Sequence, residues 1–150
     1  MASRETVPPN PDFAETTKRF LMEMPIAQHF GFAVTDVGPG LFEITQPFRK
    51  ELSFSQGIFQ AGPVGTLADM AAACAGITML PRGWGAATVG YTIKLIAPAA
   101  GETLVARGRL IRPGRTLSVS AADVYAVRDG NDTLCATALA TIRNFEATGL

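Results

Sequence analysis

Between residues 52 and 81 the chain runs for thirty residues with a single charged side chain, Asp69. A stretch this apolar has to be buried. It is too short and too interrupted for a membrane span, because its most apolar part, residues 64–80, contains Asp69 and falls short of the ~20 uninterrupted residues a span needs. Pro63 opens a helix, VGTLADMAAACAGITML, which Pro81 and Gly83 close. Ala68, Ala71, Ala72, Ala73, Ala75 and Gly76 make that helix thin, and a helix that is apolar and thin on most sides needs the rest of the fold to surround it.

The remaining segments supply the wrapping. Asn10-Pro11 reads as a helix start, Phe13, Thr17, Phe20, Leu21 and Met24 recur at helical spacing, and Pro25 ends the element. A short turn is expected over residues 26–30. Two β-type runs, 31–37 and 41–48, are joined by Gly38-Pro39-Gly40, and residues 49–62 read as a loop. After the helix come four strand-like runs, 87–96, 102–111, 116–127 and 133–145, each closed by a Pro or Gly turn except the last. Alternation is clearest in the first of them. Val89, Tyr91, Ile93 and Leu95 are expected on one face, with Thr88, Gly90, Thr92 and Lys94 on the other. Short connections imply an antiparallel sheet, and only one long helix is left to cover it. The expected fold is therefore α+β, an antiparallel sheet wrapped around one long central helix. Residues 1–24 form an N-terminal lead-in and helix, and residues 25–150 form a single domain.

Composition narrows the function. With 47% hydrophobic and 17% charged residues, against roughly 25% charged in ordinary soluble chains, the sequence is not that of a disordered protein. Thirteen cations balance thirteen anions, so no charge excess serves nucleic-acid binding. So few charges on a small body predict that part of the surface is covered in an oligomer. Cys74 and Cys135 are too few for a disulfide framework or zinc knuckle and read as buried thiols, and the polar N-terminus has no signal-peptide core. A reducing cytoplasm and no membrane partner are the expectation.

Asp69 needs a reason to be where it is, since desolvation penalises a buried carboxylate unless it finds donors. It lies six residues past Pro63, beyond the first turn, so the helix dipole is a weak explanation. A functional carboxylate is the better reading. The preceding Gly57-Ile58-Phe59-Gln60-Ala61-Gly62-Pro63 brings small residues into a helix start whose free N–H groups can polarise a carbonyl or hold an oxyanion. An acyl group held there lies about two helical turns from Asp69.

These residues carry a family resemblance. GIFQAGPVGTLADMAAACAG resembles the HGG…LAD signature of the PaaI-like thioesterases of the hot-dog fold. TVGYTIKLIAPAAGE resembles that family's strand ending in a Pro-Ala turn, and RLIRPGRTLSVSAADVYAVRDG with LCATALATIRNF resembles its closing hairpin. The resemblance implies an acyl-CoA thioesterase with no cofactor beyond the coenzyme A of its substrate, no metal, and a homo-oligomer, a dimer of dimers, in which each site uses two chains. By it, Asp69 is the catalytic carboxylate, as general base on water or as nucleophile. Ala61 supplies the polarising backbone N–H, beside Gly62, and Thr88 from the neighbouring subunit orients the attacking water. The sequence departs from the family at three positions: Gln60 replaces the His of HGG, Ala61 its first Gly, and Phe54 an upstream Asn, with Ser55 and Gln56 near it. Gln60 and Gln56 hydrogen-bond but do not titrate near neutrality.

His29 is the only histidine, which leaves no His-based metal site and no base for a Ser-His-Asp triad. Ten of the thirteen cations are Arg. Arg107, Arg109, Arg112 and Arg115 surround the Pro113-Gly114 turn and read either as a solvated strand edge or as a clamp for coenzyme A phosphates. The resemblance favours Arg112 and Arg115 for that clamp, with Lys94 a weaker candidate. Phe54, Phe59, Met79 and Trp84 read as core, or as an acyl pocket where exposed. The main alternative to a thioesterase is a non-catalytic acyl-CoA or small-ligand binding protein of the same fold. A hydratase comes third, because no His lies near Asp69 in sequence.

Overall fold

A computed structural model describes residues 6–147. The first five residues of the expected lead-in and the last three of the chain lie outside the described residues. The chain begins with two helices, α1 (Phe13–Met22) and α2 (Pro25–Phe30), followed by strands β1 (Ala33–Gly38) and β2 (Leu41–Pro47). A 3-10 turn at Lys50–Leu52 and two short strands, β3 (Ser53–Ser55) and β4 (Ile58–Phe59), lead into helix α3 (Ala61–Ile77). Four long strands complete the chain: β5 (Trp84–Leu95), β6 (Thr103–Arg112), β7 (Leu117–Arg128) and β8 (Asn131–Glu146). None of the helices among the described residues is long and apolar enough to cross a membrane.

Six strands form one antiparallel sheet in the order β1-β2-β6-β7-β8-β5, and β3 pairs with β4 in a small separate hairpin. The sheet curves around α3, as the thin helix requires. Phe42 and Ile44 of β2, Leu104 and Ala106 of β6, Ala122 and Val124 of β7, and Ala138, Ala140 and Ile142 of β8 turn inward and are buried with Val64, Leu67, Ala68, Ala71, Ala72 and Ala75 of α3. Leu21 of α1 closes this core. Helix and sheet come so close that backbone meets backbone. Gly108 of β6 faces Ala71 of α3, and a Cβ at position 108 would overlap the Ala71 carbonyl oxygen.

Three expectations are corrected. Residues 26–30 are helix α2, with Pro25 at its start and Gly31 ending it in the left-handed region at φ 73°. The expected loop over 49–62 holds the β3–β4 hairpin. Helix α3 begins two residues before Pro63, because the Gln60 side chain caps it by accepting a hydrogen bond from the Gly62 N–H. At its other end the Thr78 hydroxyl donates to the Ala75 carbonyl at 2.7 Å and accepts from the Gly40 N–H at 2.8 Å, tying the helix to the β1–β2 turn.

The alternation expected along β5 is broken by a bulge. Thr88 pairs with Ile142 and Gly90 with Thr141, so Val89 is an extra residue on the β5 side. The bulge shifts the phase, and Thr88 shares the inward face with Tyr91 and Ile93 instead of opposing them.

The backbone contact at Gly108 leaves no room for a methyl group. Gly108→Ala is expected to destabilise the fold by about 3 kcal/mol or more, since overpacking a rigid contact costs that much. Denaturant unfolding checks this, and wild-type stability in the variant would contradict the close helix–sheet packing.

Candidate active site

Asp69 lies in the middle of α3, half-buried among alanines. The Thr88 hydroxyl on β5 donates to Asp69 Oδ1 at 2.7 Å. Burial raises the Asp69 pKa above the ordinary carboxylate value, and the Thr88 hydrogen bond opposes that rise. The pair leaves Oδ2 without a partner among the described residues. Thr88 reaches the carboxylate of its own chain, whereas the family resemblance implied a contribution from a neighbouring one.

At the start of α3 the helix leaves few backbone N–H groups unsatisfied. Pro63 has none, the Gly62 N–H is taken by Gln60 Oε1, and the Val64 N–H donates to the Gln60 carbonyl at 3.4 Å. The Ala61 N–H has no partner among the described residues and points out of the helix. It opens on a cavity of about 610 Å³ lined by Phe54, Ile58, Phe59, Gln60, Ala61 and Val64 on one side and by the 95–99 turn on the other. Phe59 is core, buried and packed edge-on against Phe48 at 5.3 Å. Phe54 is 76% exposed at the cavity rim, with no partner to cover it.

The candidate residues therefore fall into separate groups. Phe54, Gln60 and Ala61 meet at the cavity, with Gly62 beside them, and the exposed Gln56 sits in the β3–β4 turn. Asp69 and Thr88 meet each other deeper along α3. Arg112 and Arg115 meet neither group. They are exposed around the β6–β7 turn, at the sheet end next to the C-terminal end of α3, where Leu110 N–H bonds the Gly40 carbonyl and Gly40 bonds Thr78. Arg107 and Arg109 are held by carboxylates on the outer face of the sheet, Arg107 by Glu43 and Asp132 and Arg109 by Asp123. His29 is exposed on α2, and its backbone carbonyl accepts a hydrogen bond from Arg49.

Both cysteines are buried and free, and burial pushes their thiols up, Cys135 to about 11 and Cys74 further, with the Asp69 charge adding to the effect at Cys74. No group of three or more metal-ligating side chains occurs among the described residues. A second apolar groove of about 680 Å³ lies at the far end of α3 around Met79, Leu41 and Ile111, and no titratable side chain among the described residues lines it.

One residue packed against α3 escaped the sequence reading. The Tyr91 ring lies against α3 at Gly65, and its hydroxyl would be 3.2 Å from a Cβ at that position. The phase shift at the β5 bulge had hidden this, because strict alternation assigns Tyr91 and Thr88 to opposite faces.

A six-stranded antiparallel sheet closed around one long buried helix is the architecture of the hot-dog fold. No protein-family model and no curated protein matches the sequence. Solved structures do. A thioesterase family protein from Silicibacter pomeroyi is 29% identical, with a TM-score of 0.86 over 89% of this chain and 98% of its own. A phenylacetic acid degradation-related protein from Ralstonia eutropha JMP134 is 26% identical, with a TM-score of 0.72 over 85% of this chain and 98% of its own. The PaaI protein of E. coli, from the phenylacetic acid degradation operon, shares the fold at 18% identity, with a TM-score of 0.77 over 91% of this chain and 96% of its own. The expected resemblance to PaaI-like thioesterases of the hot-dog fold is borne out.

The Thr88 hydroxyl stabilises the ionised form of Asp69, so removing it raises the carboxyl pKa further. Thr88→Val is expected to move the Asp69 titration to higher pH, followed by the NMR shift of its carboxyl carbon. An unmoved titration would contradict the hydrogen bond.

Proposed function

We propose that the protein is an acyl-CoA thioesterase whose active sites are each completed by a second copy of the chain. The observation that carries this reading is the pairing of a half-buried carboxylate, Asp69, with a hydroxyl donor in an otherwise apolar helix that begins with one free N–H. A thioester is already an activated acyl donor, so a carboxylate and an oxyanion donor suffice for hydrolysis, and the reading calls for no metal or separate cofactor.

Geometry supports the two-chain arrangement. Ala61 and Asp69 are eight residues apart along α3, a rise of about 12 Å. The Ala61 N–H points away from Asp69, so a carbonyl held on it lies further still from the carboxylate of the same chain. One thioester meets both groups only if they come from two chains. β5 supports a partner at the adjacent edge. It is an outer strand of twelve residues, paired only with β8 among the described residues, and Val89, Leu95 and neighbouring Leu139 on β8 are each more than half exposed. A long apolar edge of this kind invites strand pairing. Arg112 and Arg115, exposed and without ion-pair partners among the described residues, are assigned to the phosphates of coenzyme A bound to another copy. A tetramer built from such dimers, in a reducing cytoplasm that keeps the two buried thiols free, completes the reading.

In the proposed reaction Asp69 Oδ2 acts as general base. It takes a proton from water as the water oxygen adds to the thioester carbon, and the developing oxyanion rests on the Ala61 N–H of the other copy. Collapse expels the coenzyme A thiolate, which receives the proton from Asp69 and leaves the free acid behind. A carboxyl whose pKa is raised by burial is a better proton acceptor than an exposed one. Gln60 lines the cavity with its amide oxygen occupied by Gly62, and its NH2 group is assigned as a second donor to the substrate.

Thiol release from a panel of acyl-CoAs tests the reading, with a substrate-free blank for Cys74 and Cys135. Wild type is expected to release thiol, and Asp69→Asn to lose at least about 10²-fold in turnover while keeping its assembly. Full activity in the variant would sink the mechanism. Acyl-CoA binding without release by wild type would make the protein a binder.

A further inference from the structure

We propose that Tyr91 is a further catalytic residue, its phenol oxygen holding the attacking water against Asp69. This rests on the thioesterase reading above and adds to it the group that orients the nucleophile.

Four observations lead to it. The bulge between Thr88 and Gly90 turns Thr88 and Tyr91 to the same inward face of β5, so both hydroxyls point at α3. Tyr91 Oη lies over Gly65, one helical turn before Asp69, and side chains on a helix lean toward its N-terminus, so the Asp69 carboxylate leans toward that patch. Tyr91 is 45% exposed, with only the hydroxyl end of its ring against the helix at Gly65, and the phenol has no hydrogen-bond partner among the described residues, so its hydroxyl is open to a water. Thr88 already occupies Asp69 Oδ1, which leaves Oδ2 and the phenol oxygen as the two acceptors assigned to one water.

A water held there donates one hydrogen to Asp69 Oδ2 and the other to Tyr91 Oη, which leaves a lone pair free for the carbonyl carbon. The proton given to Asp69 is the one later returned to the departing thiolate. The second hydrogen stays on the oxygen that becomes part of the product carboxyl group. Tyr91 exchanges no proton in this step and fixes only the direction of attack.

Gly65 is what makes room for the phenol. The three atoms nearest to a Cβ there all belong to Tyr91, Oη first at 3.2 Å, so an alanine presses on the hydroxyl before anything else. The two positions can therefore be tested against each other.

The experiment compares steady-state hydrolysis by wild type, Tyr91→Phe, Gly65→Ala and the double variant, with Asp69→Asn as the reference for the reaction itself. Tyr91→Phe keeps the ring and its packing, and is expected to lower kcat about tenfold or more, the effect of losing one hydrogen bond to a reacting group, with KM little changed. Gly65→Ala is expected to lower kcat while holding or raising the melting temperature, because alanine favours a helix over glycine. In the Tyr91→Phe background it is expected to cause no further loss. If wild type hydrolyses acyl-CoA, Asp69→Asn does not, and Tyr91→Phe matches wild type in kcat, the Tyr91 role is overturned and the thioesterase reading stands. Independent losses that multiply in the double variant would overturn it as well. An inactive wild type would overturn both.

Discussion

The fold depends on how closely one helix approaches one sheet. Along α3 the side chains are mostly alanine and glycine, and at Gly108 the β6 backbone rests on the Ala71 carbonyl with no side chain between them. That contact is possible only where neither partner carries bulk, so the small residues set the curvature of the sheet around the helix. The closeness also limits the contact of the helix with water. In such a setting a charged group is expensive, and the one that is present, Asp69, has been given a hydroxyl donor from β5.

From this constraint follows the division of the site. A helix tightly enclosed along its length offers chemistry only where an end or an edge is open. The N-terminal end of α3 opens on the cavity and presents a single unsatisfied N–H, since Pro63 has none and Gln60 occupies that of Gly62. The carboxylate lies instead on the side that faces β5, the outermost strand of the sheet. On the proposed reading, the end and the edge of one chain, about 12 Å apart along the helix, do not meet on one thioester. The proposed pairing of two copies explains why a chain with every part of this chemistry would still need a partner.

Much of this was legible in the sequence, because the strongest signals are local. Thirty residues with one charge identify the central helix, and four β-type runs with short turns identify the antiparallel sheet. Asp69 stood out for the same reason. What was hidden depends on contacts or geometry that local pattern does not encode. Helix α2 is six residues long, too short for periodicity to distinguish from a turn. The start of α3 at Ala61 depends on a side-chain cap that bypasses the more conspicuous Pro63. The face shared by Thr88 and Tyr91 depends on a single bulge residue, Val89, which alternation cannot reveal. Arg112 and Arg115 were grouped with Arg107 and Arg109 by proximity in sequence, but two of the four are committed to carboxylates on the outer face and the other two sit at the far end of the sheet.

The central claim is that each site takes its carboxylate from one chain and its N–H donor from another, and subunit mixing tests it most directly. Ala61→Pro removes the donor with little disturbance, because proline suits the first helical position and Gln60 before it already has the extended conformation proline requires, with ψ 150°. Ala61→Pro and Asp69→Asn chains are each expected to be inactive alone. Mixed by co-expression or by unfolding and refolding together, they form hybrids in which one site has both an intact Ala61 and an intact Asp69, and thiol release is predicted to return. Hybrids that assemble and remain as inactive as their parents would contradict the shared site.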